Sequence, residues 1–113
     1  MKIYRLQPKP IKNVLFQRDQ YLQVPKSSGC YVLVNTGDDI LYIGQAVNFN
    51  QRFQHHLDNP EKTRPTQEGI AWRFWYLEYD SKRLSFLENT WLQGFQQKEG
   101  RLPILNKVQA PTE

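Results

Sequence analysis

The sequence predicts a small three-stranded α/β domain, of the α+β kind, with one hydrophobic core. The chain of 113 residues has room for one core and little else. Hydrophobic residues make up 39% of it and charged residues 23%, which is typical of a globular domain rather than a disordered chain. Apolar patterns follow along the chain in the order β-hairpin, helix, strand, helix, and this order predicts the fold class.

A hairpin is predicted from the stretch SGCYVLVNTGDDILYIGQ, which covers residues 28–45. Two apolar runs, 29–35 and 40–44, flank a Thr-Gly-Asp-Asp turn. Because both faces of each run are apolar, we expect the hairpin to be covered on both sides. An even number of loop residues would place Tyr31 and Tyr42 on one face of the sheet, whereas an odd number would separate them.

The segment after the hairpin predicts an amphipathic helix. Asn48 is a favourable N-cap, and Gln51 three residues later resembles a capping box. Apolar residues recur at every fourth position, namely Phe49, Phe53 and Leu57. This spacing is typical of a helix that packs one face on a core.

Two polar residues of this helix lie at the border of its apolar stripe. Arg52 and His56 are four residues apart and therefore neighbours on the helix surface. His55 points about 100° away from His56, further toward solvent. Such a pair is usually a solvated helix edge, but His56 is the histidine that can face a site shared with the sheet.

Three further segments complete the predicted domain. Residues 58–69 are polar and predict an exposed loop, and the aromatic run 70–79 predicts a third strand that ends near Asp80. A second helix is predicted over residues 81–99, with Gly100 placed to cap its C-terminus.

The ends of the chain are predicted to lie outside the main domain, which covers residues 29–108. Residues 1–28 form a lead-in and residues 109–113 a tail. A loose helical spacing in the lead-in allows a short helix there. It is carried by Ile11, Val14, Leu15 and Leu22.

One carboxylate in the second predicted helix does not fit its surroundings. Glu88 lies within the apolar arc of that helix. The arc contains Leu84, Leu87, Trp91, Leu92 and Phe95. A carboxylate on a buried face costs several kcal/mol unless it is paired, neutralised or bound to a metal. The helix pattern leaves open an ion pair at the core edge and a functional role.

Composition narrows the class of partner. The net charge of +4 makes a polyanion a plausible partner but does not decide the matter. No apolar run reaches membrane-spanning length, and the first residues do not begin a signal peptide. One cysteine and two histidines argue against a disulfide framework or a thiolate zinc site, so a cytoplasmic setting is expected.

The spacing of several short motifs together resembles the GIY-YIG nuclease superfamily over residues 28–107. Each motif is weak alone, but their order on matching predicted elements is specific. The motifs are Gly29-x-Tyr31, Tyr42-Ile43-Gly44, Arg52, His56, Glu88 and Pro103-x-x-Asn106. The resemblance implies a small three-stranded antiparallel sheet flanked by helices, similar to the catalytic domains of UvrC-type repair nucleases, homing endonucleases and some restriction enzymes.

The resemblance also implies a metal-dependent DNA endonuclease that uses one Mg²⁺ or Mn²⁺ ion. Glu88 is the implied metal ligand. The implied catalytic residues are Tyr31, Tyr42, Arg52 and His56. Substrate contacts are implied for Gly44, Gln45 and Asn106. Two positions depart from the family's commonest pattern: Cys30 replaces an aliphatic residue and is expected to pack in the core, while Gln45 stands where UvrC-type members have lysine.

The chemistry of these residue types suggests a separate catalytic role for each residue. Arg52 can donate a planar fork to the scissile phosphate, and one glutamate can anchor a largely hydrated Mg²⁺. We expect Tyr31 to take a proton from the attacking water with His56 as a relay, and Tyr42 to orient water or phosphate.

Specificity is expected to come from a homodimer, a partner protein or a branched DNA structure. Two alternatives remain open from sequence. One is an inactive nucleic-acid-binding module, such as a subunit of a repair or mobile-element complex. The other is a structural subunit with internal ion pairs, for instance between Arg52 and Glu88.

Overall fold

The computed structural model describes residues 1–107, which form a four-stranded antiparallel sheet with helices on both faces. The strands are β1 (Lys12–Leu15), β2 (Gly29–Val34), β3 (Ile40–Ala46) and β4 (Arg73–Glu78), in the spatial order β1-β4-β2-β3. The α-helices are α1 (Phe49–Asp58), α2 (Leu84–Glu99) and α3 (Ile104–Lys107). None of the helices within residues 1–107 is long and apolar enough to cross a membrane.

Each face of the sheet has its own hydrophobic cluster. On one face, α1 inserts Phe49 and Phe53 against Tyr31 and Phe74. On the other face, α2 packs against the opposite side of β2 and β3. Its residues Leu87, Trp91 and Phe95 share a buried cluster with Cys30, Val32 and Ile43 of the strands. The expected cover on both sides of the hairpin is therefore confirmed.

The lead-in contributes a fourth strand that the sequence did not predict. Residues 12–15 pair antiparallel with β4, with Val14 opposite Phe74, and Val14 is buried in the α1-side cluster. The helix expected from the spacing of Ile11, Val14, Leu15 and Leu22 does not form over the first three of these residues. The fourth, Leu22, lies in a six-residue 3-10 helix over Arg18–Gln23. The period of a short apolar run does not distinguish a strand from a helix, and residues 12–15 form a strand here because they pair with the free edge of β4. The predicted tail, 109–113, lies outside the described residues.

The start of α1 and the end of α2 are where local signals predicted them, whereas α2 begins at Leu84, after a 3-10 helix over Ser81–Arg83, and not at residue 81. The Asn48 side chain accepts a hydrogen bond from the backbone N–H of Gln51 at 3.0 Å and caps α1. Gly100 ends α2 in the left-handed conformation, with φ of 74°, which glycine adopts without steric cost. These caps fix which residues of each helix face the sheet.

A bulge in the hairpin decides the relative position of the two tyrosines. Residues 35–39 form an odd loop of five between β2 and β3, which by itself would separate Tyr31 and Tyr42. The register shifts next to the loop, however: Val34 pairs with Ile40, and Leu33 then pairs with Tyr42. The extra residue returns Tyr42 to the face of Leu33 and Tyr31. Both tyrosines therefore lie on the α1 side of the sheet.

Candidate active site

The centre of the candidate site is a buried tyrosine–histidine pair. The Tyr31 hydroxyl lies 2.6 Å from Nε2 of His56, which α1 presents toward the sheet. Tyr31 is fully buried and His56 is 3% exposed. The ring of Phe74 stacks on Tyr31 at 4.9 Å between centroids. Packing therefore fixes both rings, and the short hydrogen bond is protected from water.

Burial keeps both members of this pair uncharged at neutral pH. It raises the pKa of the Tyr31 phenol well above its usual range; the neighbouring Tyr42 phenol adds to this rise, and the Arg52 guanidinium opposes it. Burial also lowers the pKa of His56 to about 4, with the positive charge of Arg52 as the second cause. The pair is therefore a neutral phenol facing a neutral imidazole.

Beside the pair, an open pocket of about 370 Å³ leads to solvent. It is lined by Tyr42, Gln51, Arg52, His55, His56 and Lys62. Tyr42 is 7% exposed, and its ring centroid is 5.8 Å from that of Tyr31 and 5.6 Å from that of His56. Tyr42 is thus the tyrosine at the pocket wall, and Tyr31 lies behind it.

Gly44 makes room for the two tyrosines. It pairs directly with Tyr31 across the β2–β3 ladder and is buried. A Cβ atom at Gly44 would lie 2.7 Å from the Tyr42 ring and 2.8 Å from the Tyr31 hydroxyl, closer than real Cβ contacts. Gly44 therefore has a steric role that the sequence did not reveal, and the substrate contact expected there stays a prediction.

Glu88 belongs to the opposite face of the sheet, on α2. Its Oε1 accepts a 2.8 Å hydrogen bond from the side chain of Gln45, near the end of edge strand β3. The carbonyl of Gln45 accepts a 3.1 Å hydrogen bond from Nη1 of Arg52. Gln45 therefore connects the two faces, with Glu88 on its side chain and Arg52 on its backbone.

Glu88 is partly buried, and no Lys or Arg side chain described for residues 1–106 forms an ion pair with it. The internal Arg52–Glu88 ion pair considered from sequence is not formed. Burial raises the pKa of Glu88, while the Gln45 hydrogen bond and the Arg52 charge pull it back.

The donor set around Glu88 fits a hard divalent cation that keeps most of its water. No cluster of three or more His, Cys, Asp or Glu side chains suited to a metal occurs in the described part of the chain. Mg²⁺ commonly binds through one or two carboxylates and retains several waters, so a single accessible carboxylate suffices. Cys30 is not a ligand candidate, because burial and then the charge of Glu88 raise the pKa of its thiol to about 12.

Asn106 lies on the edge of the sheet rather than in the pocket. Its Oδ1 accepts from the backbone N–H of Ile43, and its Nδ2 donates to the carbonyl of Ile43, each at 2.9 Å. The side chain therefore pairs with the outer edge of β3 as another strand would. Both ends of its amide are used in this contact.

The pocket also contains a residue that sequence reasoning missed. Lys62 lies in the 3-10 helix Pro60–Lys62, within a segment predicted only as an exposed polar loop. No periodic pattern or short motif marks it, because its position depends on how the loop folds back on α1. Only the three-dimensional arrangement identifies it.

Comparison with known proteins shows the family of the chain. The GIY-YIG catalytic domain family matches residues 27–101. The UvrABC system protein C of Prochlorococcus marinus is 29% identical over 62 residues, that of Methanosphaera stadtmanae 31% over 58, and that of Bdellovibrio bacteriovorus 31% over 62. These matches cover 55%, 50% and 55% of this chain but 10% of each relative, so the chain spans about a tenth of their length. The chain belongs to the GIY-YIG nuclease superfamily.

Proposed function

We propose that this protein is a divalent-metal-dependent DNA endonuclease that hydrolyses phosphodiester bonds. One observation carries the proposal: the buried Tyr31–His56 pair opens through Tyr42 onto a pocket that also contains Arg52. The same arginine donates a hydrogen bond to the backbone carbonyl of Gln45, whose side chain donates one to Glu88. A proton acceptor, an anion-binding group and a metal-type carboxylate are thus joined at one edge of the sheet.

The tyrosines and His56 provide a path for the proton of the attacking water. Tyr42 is at the pocket wall, so its oxygen receives the water proton as its own proton passes to Tyr31. The Tyr31 proton passes in turn to Nε2 of His56, 2.6 Å away. Each phenol gains one proton and gives one, the water becomes hydroxide, and His56 becomes imidazolium. This path differs from the sequence expectation because Tyr31 is fully buried.

Arg52 and Glu88 act on the phosphate. The guanidinium of Arg52 is held in place by the Gln45 carbonyl and directs its remaining N–H groups to the scissile phosphate. Glu88 would hold the Mg²⁺ or Mn²⁺, which when bound stabilises charge on the phosphoryl and leaving oxygens. Gln45 orients the Glu88 carboxylate through the 2.8 Å hydrogen bond.

The substrate is DNA, with little sequence preference of its own. The pocket offers donors for a phosphate in Arg52, His55 and Lys62. Specificity would then come from branched or flapped DNA, from a second copy of the chain or from a partner protein.

The experiment uses the full chain with supercoiled plasmid and with branched DNA, in the presence and absence of Mg²⁺ or Mn²⁺. We expect metal-dependent cleavage that falls more than ~100-fold in Glu88→Gln, because a bound ion contributes several kcal/mol to the transition state. Glu99→Gln, on the same helix, is the matched control and should cleave normally. Cleavage that persists in Glu88→Gln or in a chelator would contradict the proposal. Salt-sensitive binding without cleavage by either protein would favour the inactive binding module.

A further inference from the structure

The wall of this pocket is rich in basic side chains, and no carboxylate that lines it balances their charge. Four of its six lining residues are Arg, Lys or His, and none is a carboxylate. Lys62 forms no ion pair among residues 1–107. The adjacent Glu61 does not line the pocket. Lys62 therefore adds a positive charge to the pocket that no carboxylate lining it balances.

The surroundings of His56 provide an independent indication that this pocket binds a ligand. Nε2 of His56 is engaged by Tyr31, but its Nδ1 is buried and has no hydrogen-bond partner in the part of the chain that the structure describes. An unpaired buried polar atom costs about 1–3 kcal/mol. Arg52, His55 and Lys62 each disfavour a positive charge on this ring. An anion in the pocket would relieve both the repulsion and the lost hydrogen bonding.

Lys62 and Arg52 line the pocket from different elements. Arg52 is in the first half of α1 and is tied to the Gln45 carbonyl, beside Glu88. Lys62 follows the end of α1 at Asp58, which lies six positions after Arg52, or ~9 Å along the helix axis. His55 and His56 lie between them. The positive wall therefore extends along α1, away from the carboxylate.

We propose that Lys62, together with His55, binds a second backbone phosphate of the DNA, next to the scissile phosphate held by Arg52. This inference rests on the proposed nuclease function and names a substrate contact of the same site. The strand would then run along α1 from the β3 edge toward the Pro60–Lys62 turn. Bringing a negative charge next to His56 would also ease the arrival of the proton from Tyr31.

The first test measures the salt dependence of DNA binding in the Glu88→Gln background, which prevents cleavage. Fluorescence anisotropy with a short labelled duplex gives log K against log salt concentration. Removing one phosphate contact should reduce the slope by about 0.9, so we expect that change in Lys62→Gln. Lys98→Gln is the matched control, since Lys98 lies on α2 and lines a different groove. Equal slopes for the two lysine variants would overturn the inference.

The second test separates a second phosphate subsite from general charge attraction. Thymidine 3′,5′-bisphosphate and thymidine 5′-monophosphate are titrated into the full chain, and the histidine ring signals are followed by NMR. We expect the bisphosphate to bind several-fold more tightly, and Lys62→Gln to abolish that advantage. An equal loss for both nucleotides in Lys62→Gln would overturn the inference. An active Glu88→Gln enzyme would instead overturn the proposed function, so the two failures are distinguishable.

Discussion

The two faces of the sheet hold the two halves of the candidate site in opposite ways. On the α1 face, Tyr31 is fully buried, stacked on Phe74 and hydrogen-bonded to a buried histidine. On the α2 face, Glu88 is partly exposed and is held by a single side-chain hydrogen bond from Gln45. One half is rigid and dry, and the other is open to water.

This difference matches what each half is proposed to do. Proton transfer between phenols and an imidazole needs fixed short distances, which a packed core supplies. A hydrated divalent ion needs space for its waters, which a half-exposed carboxylate allows. Gln45, near the end of edge strand β3, hydrogen-bonds to Glu88 on one side and to Arg52 on the other and so connects the two environments. Substitutions on the two faces should therefore have different signatures: combined losses of stability and activity on the α1 face, and losses of activity alone on the α2 face.

The largest combined effect is expected at Tyr31. Tyr31→Phe should reduce the cleavage rate by about 100-fold or more, because it breaks the proton path. It should also lower the free energy of unfolding by about 1–3 kcal/mol, since Nε2 of His56 loses its partner in a buried site. Plasmid-cleavage rates and urea unfolding measure the two effects. Tyr4→Phe, at an exposed position, is the control; a Tyr31→Phe enzyme of normal rate would exclude the path.

The pH dependence of stability should identify His56. Its native pKa is about 4 against an ordinary 6.5, so the unfolded chain binds this proton more readily than the native one. The contribution of neutral His56 to the free energy of unfolding is complete above pH 6.5. It falls by ~3 kcal/mol as the pH falls from 6.5 toward 4. Urea unfolding between pH 4 and 7.5 measures it, as the difference between wild type and His56→Gln. The exposed His55, changed to Gln, should alter the curve only slightly, because burial and Arg52 are larger causes of the lowered His56 pKa than His55 is; a change as large as that in His56→Gln would refute the assignment.

A smaller effect, on stability alone, is expected at Asn106. Asn106→Ala removes both hydrogen bonds to the Ile43 backbone and should cost about 2 kcal/mol. Cleavage per folded molecule and DNA affinity should stay near wild type, because the amide is occupied by β3. Asn89→Ala, at an exposed position on α2, serves as the control. Unchanged stability with weakened DNA binding would instead support the substrate contact predicted from the sequence.

Local signals predicted the hairpin and both long helices, whereas long-range pairing had to be observed. Asn48 and Gly100 end their helices through contacts within a few residues, so the sequence alone places them. The strand at 12–15 exists only because β4, about sixty residues away, has a free edge. The bulge that aligns the tyrosines and the position of Lys62 depend on how distant segments meet. Motif spacing therefore identified the main residues of the candidate site but not the division of the site between two faces.

The smallest effect is expected at Gln45, the residue that joins the two faces. Its hydrogen bond holds the pKa of Glu88 down against burial, so Gln45→Leu should raise that pKa further. A larger fraction of Glu88 would then be protonated at acid pH, where it cannot hold a cation. We expect the acid limb of the pH–rate profile to move to higher pH, giving a several-fold loss below neutrality and a near-normal rate above it.

The measurement keeps the metal concentration fixed, because protons and metal compete for the same carboxylate. Gln96→Leu, exposed on α2, is the matched control and should leave the profile in place. A shifted acid limb would show that the Gln45 side chain acts through the pKa of Glu88. A uniform loss at every pH would show that it acts by orienting the Glu88 carboxylate instead, because Leu keeps the backbone carbonyl that binds Arg52 on the α1 side. The shape of one pH profile thus separates an effect on the charge of Glu88 from an effect on its position.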